Sequence, residues 1–255
     1  MTPYLHWFLA WIFIALRYFA IAGVAYYLFY RKFKRRLFYK KIQLKMPKRP
    51  DYKREFAYSL VSIFIFTLVS GIFLYTPLRD FTRIYTDPAQ YGYLWYVLAF
   101  PVMFLIHDAY FYWMHRLMHS PLLFRMVHRV HHMSTNPSPW AALAFHPAEA
   151  LLEVGIIPVM LRLIPLTPIH LVIFFLAMLV YNVYGHLGWE LYPAAFSRHR
   201  IGRWINTSVN HNQHHQYFKG NYGLYFLWWD RWMGTIRPDY EKKFEEVKER
   251  MAEDL

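Results

Sequence analysis

"FLIHDAYFYWMHRLMH", Phe104 to His119, carries an apolar run straight into two histidines four residues apart, His115 and His119. Traced toward the N-terminus, the run begins near Leu94, which makes it long enough to cross ~30 Å of hydrocarbon as a helix. Traced the other way, it passes "HRVHH", His128 to His132, and stops at "HHMSTNPSPW", where two prolines and several turn formers break the helix. A membrane span that ends in imidazoles predicts an all-α protein, an integral membrane helical bundle with a histidine-rich helical cap at one end.

The rest of the chain fits that architecture. Tyr4 to Tyr30 is a second span with aromatics at both ends, where the membrane interfaces fall. It has neither a basic leading segment nor a small-residue cleavage site, so it reads as an anchor and not as a signal peptide. Arg17 in its middle is costly in lipid and is expected to face protein or to snorkel. Another span covers Phe56 to Leu78, followed by the polar loop "LRDFTRIYTDPAQYGY". Two further apolar segments, Ala141 to Ile164 and Pro168 to Gly185, are separated by "PLTP" and predict a hairpin. The first contains His146, Glu149 and Glu153, which suits a re-entrant or protein-buried segment better than a lipid-facing one.

Composition narrows the chemistry. Of 255 residues, 56% are hydrophobic and 21% aromatic, above the apolar share usual for soluble domains. No cysteine is present, which excludes disulfides, thiolate zinc sites, thiol nucleophiles and cysteine-held iron–sulfur clusters. Any metal must be held by histidine and carboxylate. The formal charge of +13 is concentrated in Arg31 to Arg54, where twelve of the 29 Lys and Arg residues face one acid, Asp51. Between two spans, such a run marks a cytoplasmic loop against anionic lipid, and it predicts no nucleic-acid partner. With that loop inside, the alternation of spans puts "HRLMH", "HRVHH" and "HNQHH" (His211 to His215) on the cytoplasmic side of a multi-pass protein. The host membrane would be a bacterial inner membrane or the endoplasmic reticulum. The organisation expected is N-terminal anchor helices with the basic loop over 1–91, a catalytic region over 92–240 and a charged tail over 241–255.

The histidines carry the function. Positions i and i+4 of a helix lie on one face about 6 Å apart, so His115 and His119 suit one ion. In each H-x-x-H-H triplet, the geometry predicts three imidazoles crowded on one face: His128, His131 and His132, then His211, His214 and His215. Clustered imidazoles gain nothing in packing, because each needs a donor and an acceptor partner when buried. The three boxes hold eight imidazoles, too many for one tetrahedral zinc, and two metals are the economical reading. Imidazole suits zinc, copper, iron and nickel alike. His107, rotated by roughly 80° from His115 on an ideal helix, is a flanking candidate. Asp108 and Tyr112 continue the stripe of His115 and His119, which fits a carboxylate orienting an imidazole. Glu149 and Asp230 are candidates for the same outer role or for helix ends. His6, His170 and His199 stand alone and read as interface or surface residues.

"HDAYFYWMHRLMH", "HRVHH", "FHPAE", "HLGWELYP", "HNQHH", "NYG" and "WDRWMGT" follow one another in the order seen in the fatty acid hydroxylase and sterol desaturase superfamily, which the chain resembles from about His107 to Thr235. The resemblance implies a membrane oxidoreductase with two iron ions that uses O2 to attack an unactivated C–H bond of a fatty acyl or sterol-like lipid, giving hydroxylation or desaturation. It implies as metal ligands His115, His119, His128, His131, His132, His186, His211, His214 and His215. One branch of that superfamily has a further histidine at the position of Asn182, for which His146 is a possible substitute. No haem domain precedes the first span and no dinucleotide or iron–sulfur motif occurs, so the two electrons are expected from a separate cytosolic carrier.

Other readings make different demands. A zinc-dependent membrane hydrolase calls for a general base such as that of H-E-x-x-H, which is absent. A bis-histidine haem protein calls for lone histidines on facing spans. A non-catalytic metal-binding or transport protein calls for ligands through the midplane, whereas these gather at one end.

Overall fold

In the computed structural model, which describes residues 3–250, every regular element is helical, and among the described residues only three isolated β-bridges occur. Helix α1, Pro3–Tyr26, continues as a π-helix over Tyr27–Lys32, and α2 spans Arg49–Tyr75. Helix α3 covers Tyr93–Met118. Short helices α4, Pro121–Leu123, and α5, Arg129–His132, flank a π turn over Phe124–His128. Then come α6, Pro147–Val154, α7, Ile156–Leu163, and α8, Pro168–Gly185. The cap is completed by α9, Ser208–Tyr217, α10, Trp228–Trp232, and α11, Tyr240–Glu249. The charged tail from 251 to 255 lies outside the described residues.

Four of these helices are long and apolar enough to cross a membrane: Tyr4–Lys32, Arg49–Tyr75, Tyr93–Met118 and Pro168–Gly185. Local chemistry sets their ends. At the start of α2, the Asp51 carboxylate accepts from the Lys48 backbone N–H (2.9 Å), and Pro50 occupies the first turn, where a missing N–H costs nothing. Thr167 caps α8 in the same way, with Pro168 following it.

The segment Ala141 to Ile164 is not one helix. It divides into a 3-10 turn over Pro139–Leu143, then α6 and α7, which meet at Gly155. A β-carbon at Gly155 would lie 2.5 Å from the Tyr110 hydroxyl, which instead donates to the Leu152 carbonyl (2.6 Å). This broken arm still reaches from one end of the bundle to the other. Its first residues touch the histidines, whereas Leu161 and Leu166 accept from the backbone N–H groups of Arg83 and Tyr85 in the α2–α3 loop.

The two ends are therefore defined by contacts. At the end remote from the histidines, Trp95 donates to the Pro165 carbonyl (3.0 Å), and His170 meets the Tyr96 carbonyl (2.7 Å) and caps α8 through Thr167. His170, expected at an interface or surface, is thus fully buried, because its two ring nitrogens tie α8 to α3. At the histidine end, the basic loop is built into the cap. Tyr30 donates to the Leu187 carbonyl (3.0 Å), the Ile42 N–H donates to Gly188, and Gln43 donates to Asn212 (2.9 Å) and to the Thr135 carbonyl (2.8 Å). Helix α11 closes the cap by burying Tyr240, Phe244 and Val247 against Ile42, Val209 and Leu227, with its charged face outward.

Candidate metal centre

Nine imidazoles converge at the cap end of the bundle in two groups. His115, His119, His128, His132 and His214 form one, and His131, His186, His211 and His215 the other; within each, one ligand atom per residue lies within 4.8 Å of all the rest. The expectation that each triplet crowds a single face is corrected here. Adjacent helical residues are about 100° apart, so His131 and His132 point to different sides. His128 and His132, one turn apart, serve the five-histidine group while His131 serves the other. In α9 the division is reversed: His211 and His215 serve the four-histidine group and His214 crosses to the five. The repeated H-x-x-H-H pattern thus lets one turn of helix serve both groups.

The nitrogens facing inward are Nε2. Distances between them are 3.1 Å for His115 and His128, 3.0 Å for His128 and His132, and 3.2 Å for His119 and His214. In the other group, His186 Nε2 lies 3.3, 3.0 and 3.1 Å from the Nε2 atoms of His131, His211 and His215. The outward Nδ1 atoms fix the tautomers. His115, His131, His186 and His214 donate from Nδ1 to the carbonyl oxygens of Tyr222 (2.9 Å), Ala144 (3.4 Å), Asn182 (2.8 Å) and Gly220 (2.8 Å). A carbonyl oxygen only accepts, so each Nδ1 carries the hydrogen and each Nε2 presents a lone pair. The lone pairs of His131 and His186 therefore face each other with no hydrogen between them. That arrangement is repulsive unless a cation lies among them, and the donor set fits a metal.

Burial keeps these imidazoles neutral. His128, His131, His132, His211, His214 and His215 are held well below the ordinary imidazole range, first by burial and then by neighbouring imidazoles. His186 is pushed down to about 4 by burial. Neutral imidazole is the form that binds metal.

Glu149, at the start of α6, is the carboxylate that orients an imidazole: its Oε1 lies 2.6 Å from His128 Nδ1, with both side chains buried. A cation at Nε2 favours the state in which Nδ1 keeps the hydrogen and Glu149 the charge. Asp108 and Tyr112 touch no imidazole in their hydrogen bonds. Asp108 Oδ1 accepts from the backbone N–H groups of Tyr225 (2.9 Å) and Phe226 (3.1 Å). The Tyr112 hydroxyl bonds Thr235 (2.9 Å), which donates to Asp230 (2.7 Å). Asp230 accepts from the N–H groups of Tyr222 (2.9 Å) and Gly223 (2.7 Å). These side chains shape the strip whose Tyr222 carbonyl orients His115, one step further out than the stripe on α3 suggests.

The flanking candidates stand apart. His107 bonds the Tyr225 hydroxyl (2.9 Å), and His146 caps α6 by accepting from the Ala148 N–H (3.3 Å); neither joins a group. His146 therefore does not replace the missing histidine at 182. Asn182 itself donates to the Ala142 carbonyl (2.6 Å), and its own carbonyl receives the His186 Nδ1 hydrogen. The orienting carbonyls of Tyr222, Gly220 and Ala144 have no side-chain signature, so only the fold reveals them.

An apolar cavity of about 470 Å³ adjoins the histidines, within the size range of small-molecule sites. It begins at Phe111, Phe145 and Asn182 and reaches Tyr75 and Arg79 at the other end of the bundle. The ring centroids of Phe111 and His115, and of Phe145 and His131, are each 5.0 Å apart, so one aromatic layer separates the cavity from either group.

The profile described as fatty acid hydroxylase matches residues 100–235, just over half of the chain. A Delta(7)-sterol 5(6)-desaturase of Gibberella zeae is 33% identical over 186 residues, covering 72% of this chain and 56% of that protein. A Delta(7)-sterol 5(6)-desaturase of Aspergillus fumigatus is 31% identical over 72% of this chain and 62% of its own length. The lathosterol oxidase of Homo sapiens is 28% identical over 72% of this chain and 61% of its own. The chain thus spans less than two thirds of the length of these relatives. No solved structure matches.

Proposed function

Because the chain belongs to the fatty acid hydroxylase family, we propose that it is a membrane oxidoreductase that removes hydrogen from a C–H bond of a sterol-like lipid with O2 and two external electrons. The observation that carries this reading is the placement of two groups of inward lone pairs at the head of an apolar cavity. His115, His119, His128, His132 and His214 would hold one iron, and His131, His186, His211 and His215 the other. Bound there, the pair of irons supplies O2 activation. Desaturation balances as loss of two hydrogens from the lipid, with O2, two electrons and two protons giving two waters. Hydroxylation inserts one oxygen and gives one water.

The protein's own residues supply position and dryness. Phe111 and Phe145 wall the ligands from the cavity and keep water from the reacting bond. Glu149 and the carbonyls of Tyr222, Asn182 and Gly220 fix the imidazole rings before any ligand arrives. On the outer side of the cap, Phe218 is exposed while its ring centroid lies 5.2 Å from that of His132; the exposed cation Lys219 follows Phe218 directly, and exposed Arg129 lies three residues before His132. We assign this face to docking of an acidic cytosolic electron carrier.

The test joins metal analysis to lipid mass spectrometry. The purified chain is expected to hold about two irons, and cells carrying the gene should show a lipid lighter by two hydrogens than in cells without it. A lipid heavier by one oxygen would establish hydroxylation instead. Stoichiometric zinc with iron-independent activity would refute the oxidoreductase.

A further inference from the structure

Arg17 lies within the first membrane-spanning helix, before the residues that match the family profile, and its side chain lines the cavity. Its Nε is buried without a hydrogen-bond partner, and among the described residues no carboxylate forms an ion pair with it. The ring of Phe13, 5.9 Å from the guanidinium carbon, is a weak substitute. The nearby hydroxyls of Thr67 and Ser70 donate to the carbonyls of Ile63 (2.7 Å) and Phe66 (2.6 Å) one turn earlier in α2, and neither oxygen accepts from Arg17. A guanidinium at membrane depth is costly unless something accepts its hydrogens. The other polar groups on the cavity wall, the Glu153 carboxylate and the Asn182 amide among them, form no hydrogen bond or ion pair with Arg17 among the described residues, so its hydrogens are open to an occupant.

We propose that Arg17 is the anchor of a lipid-binding site, donating to an oxygen on the polar end of the substrate while the apolar remainder extends toward Phe111 and Phe145. This deepens the oxidoreductase reading and rests on it for the word substrate. Arg17 is a specificity-determining residue and does not touch the reacting carbon. It stands nine residues before the end of α1, about 14 Å along the helix axis from Tyr26. A fixed polar end at that depth selects which carbon reaches the histidines, much as a stop selects a length. The oxygen is either a sterol hydroxyl or a fatty-acid carboxylate; both accept from a guanidinium, and the experiment separates them.

The full chain in lipid nanodiscs, without O2 or reductant, is tested for binding of cholest-7-en-3β-ol against cholest-7-ene, and of hexadecanoic acid against hexadecane. Wild type should prefer the oxygen-bearing member of one pair by about 10- to 100-fold, the range for a hydrogen bond to a charged group, and the pair that shows the preference names the source. Arg17→Met should bring that preference close to unity without weakening the hydrocarbon. If Arg17→Met does not fold, Arg17→Gln is read in its place. No preference in wild type, or an undiminished preference in the variant, overturns the anchor and leaves Arg17 snorkelling to water. A chain with Arg17-dependent binding that oxidises nothing refutes the reaction and keeps the site. A chain that oxidises lipid at the same carbon and affinity after Arg17→Met refutes the anchor alone.

Discussion

Single buried residues in this cap show how much is spent on holding histidines still. Glu149 was visible in the sequence as an acid in an apolar segment, and its spacing from His128 across a loop hid which ring it serves. Lys41 is a different case, since its basic run explains its charge and not its burial. Its side chain is fully buried, Nζ has no hydrogen-bond partner, and the face of Trp189 lies 4.5 Å away. Burial pushes its pKa down to about 7. An unfolded lysine titrates near ~10.4, so between pH 7 and about 10 the unfolded chain binds a proton that the folded chain lacks. Stability therefore rises with pH across that window and levels off at its lower value below it, where the buried amine is charged in both states. Lys41→Met should flatten this slope and raise stability at pH 6 by roughly 1–4 kcal/mol, as when a buried charge gives way to a hydrophobe. Thermal unfolding of both proteins from pH 6 to pH 9.5 checks it, and parallel profiles would contradict the burial account.

At the scale of elements, the architecture was legible because spans announce themselves by length and histidine boxes by spacing. Four helices long enough to cross a membrane lie where the apolar runs do. What escaped was direction. From "HRVHH" alone one counts three ligands on a face, yet the 100° step between His131 and His132 sends them to separate groups, and α9 repeats the split with the odd histidine exchanged. The loop carbonyls that hold Nδ1 hydrogens were equally hidden, since any residue type supplies one. The split has a measurable consequence. His131→Ala in α5 and His211→Ala in α9 strike the same group, so their combination should reduce bound iron little beyond either change alone, from about two per chain toward about one. His131→Ala with His214→Ala strikes both groups and should leave almost none. The comparison is a double-mutant cycle read by iron content at matched expression. If the second pair retained as much iron as the first, the two groups would be a single site.

For the whole molecule the contacts decide which segments share an end, and charge then decides which side that end faces. The basic loop is hydrogen-bonded into the histidine cap through Tyr30, Ile42 and Gln43, while the α2–α3 loop is bonded to the α7–α8 turn at the far end. The run of twelve cations against one acid between the first two candidate spans therefore predicts that the whole cap, not only its own loop, faces the cytoplasm. That orientation would give the proposed soluble electron carrier access to Phe218 and leave the Arg79 end of the cavity near the opposite membrane face. The chain has no cysteine, so single cysteines report position without background. Exposed Lys45, beside Gln43, and exposed Asp87, in the α2–α3 loop, mark the two ends. With an impermeant thiol reagent added outside intact cells or sealed right-side-out vesicles, Asp87→Cys should label and Lys45→Cys should label only after the membrane is opened. The reverse pattern would invert the molecule and put the electron carrier on the other side. Labelling of both from one side would mean that α2 does not cross, which the bonds joining Arg83 and Tyr85 to Leu161 and Leu166 at the end remote from the histidines argue against.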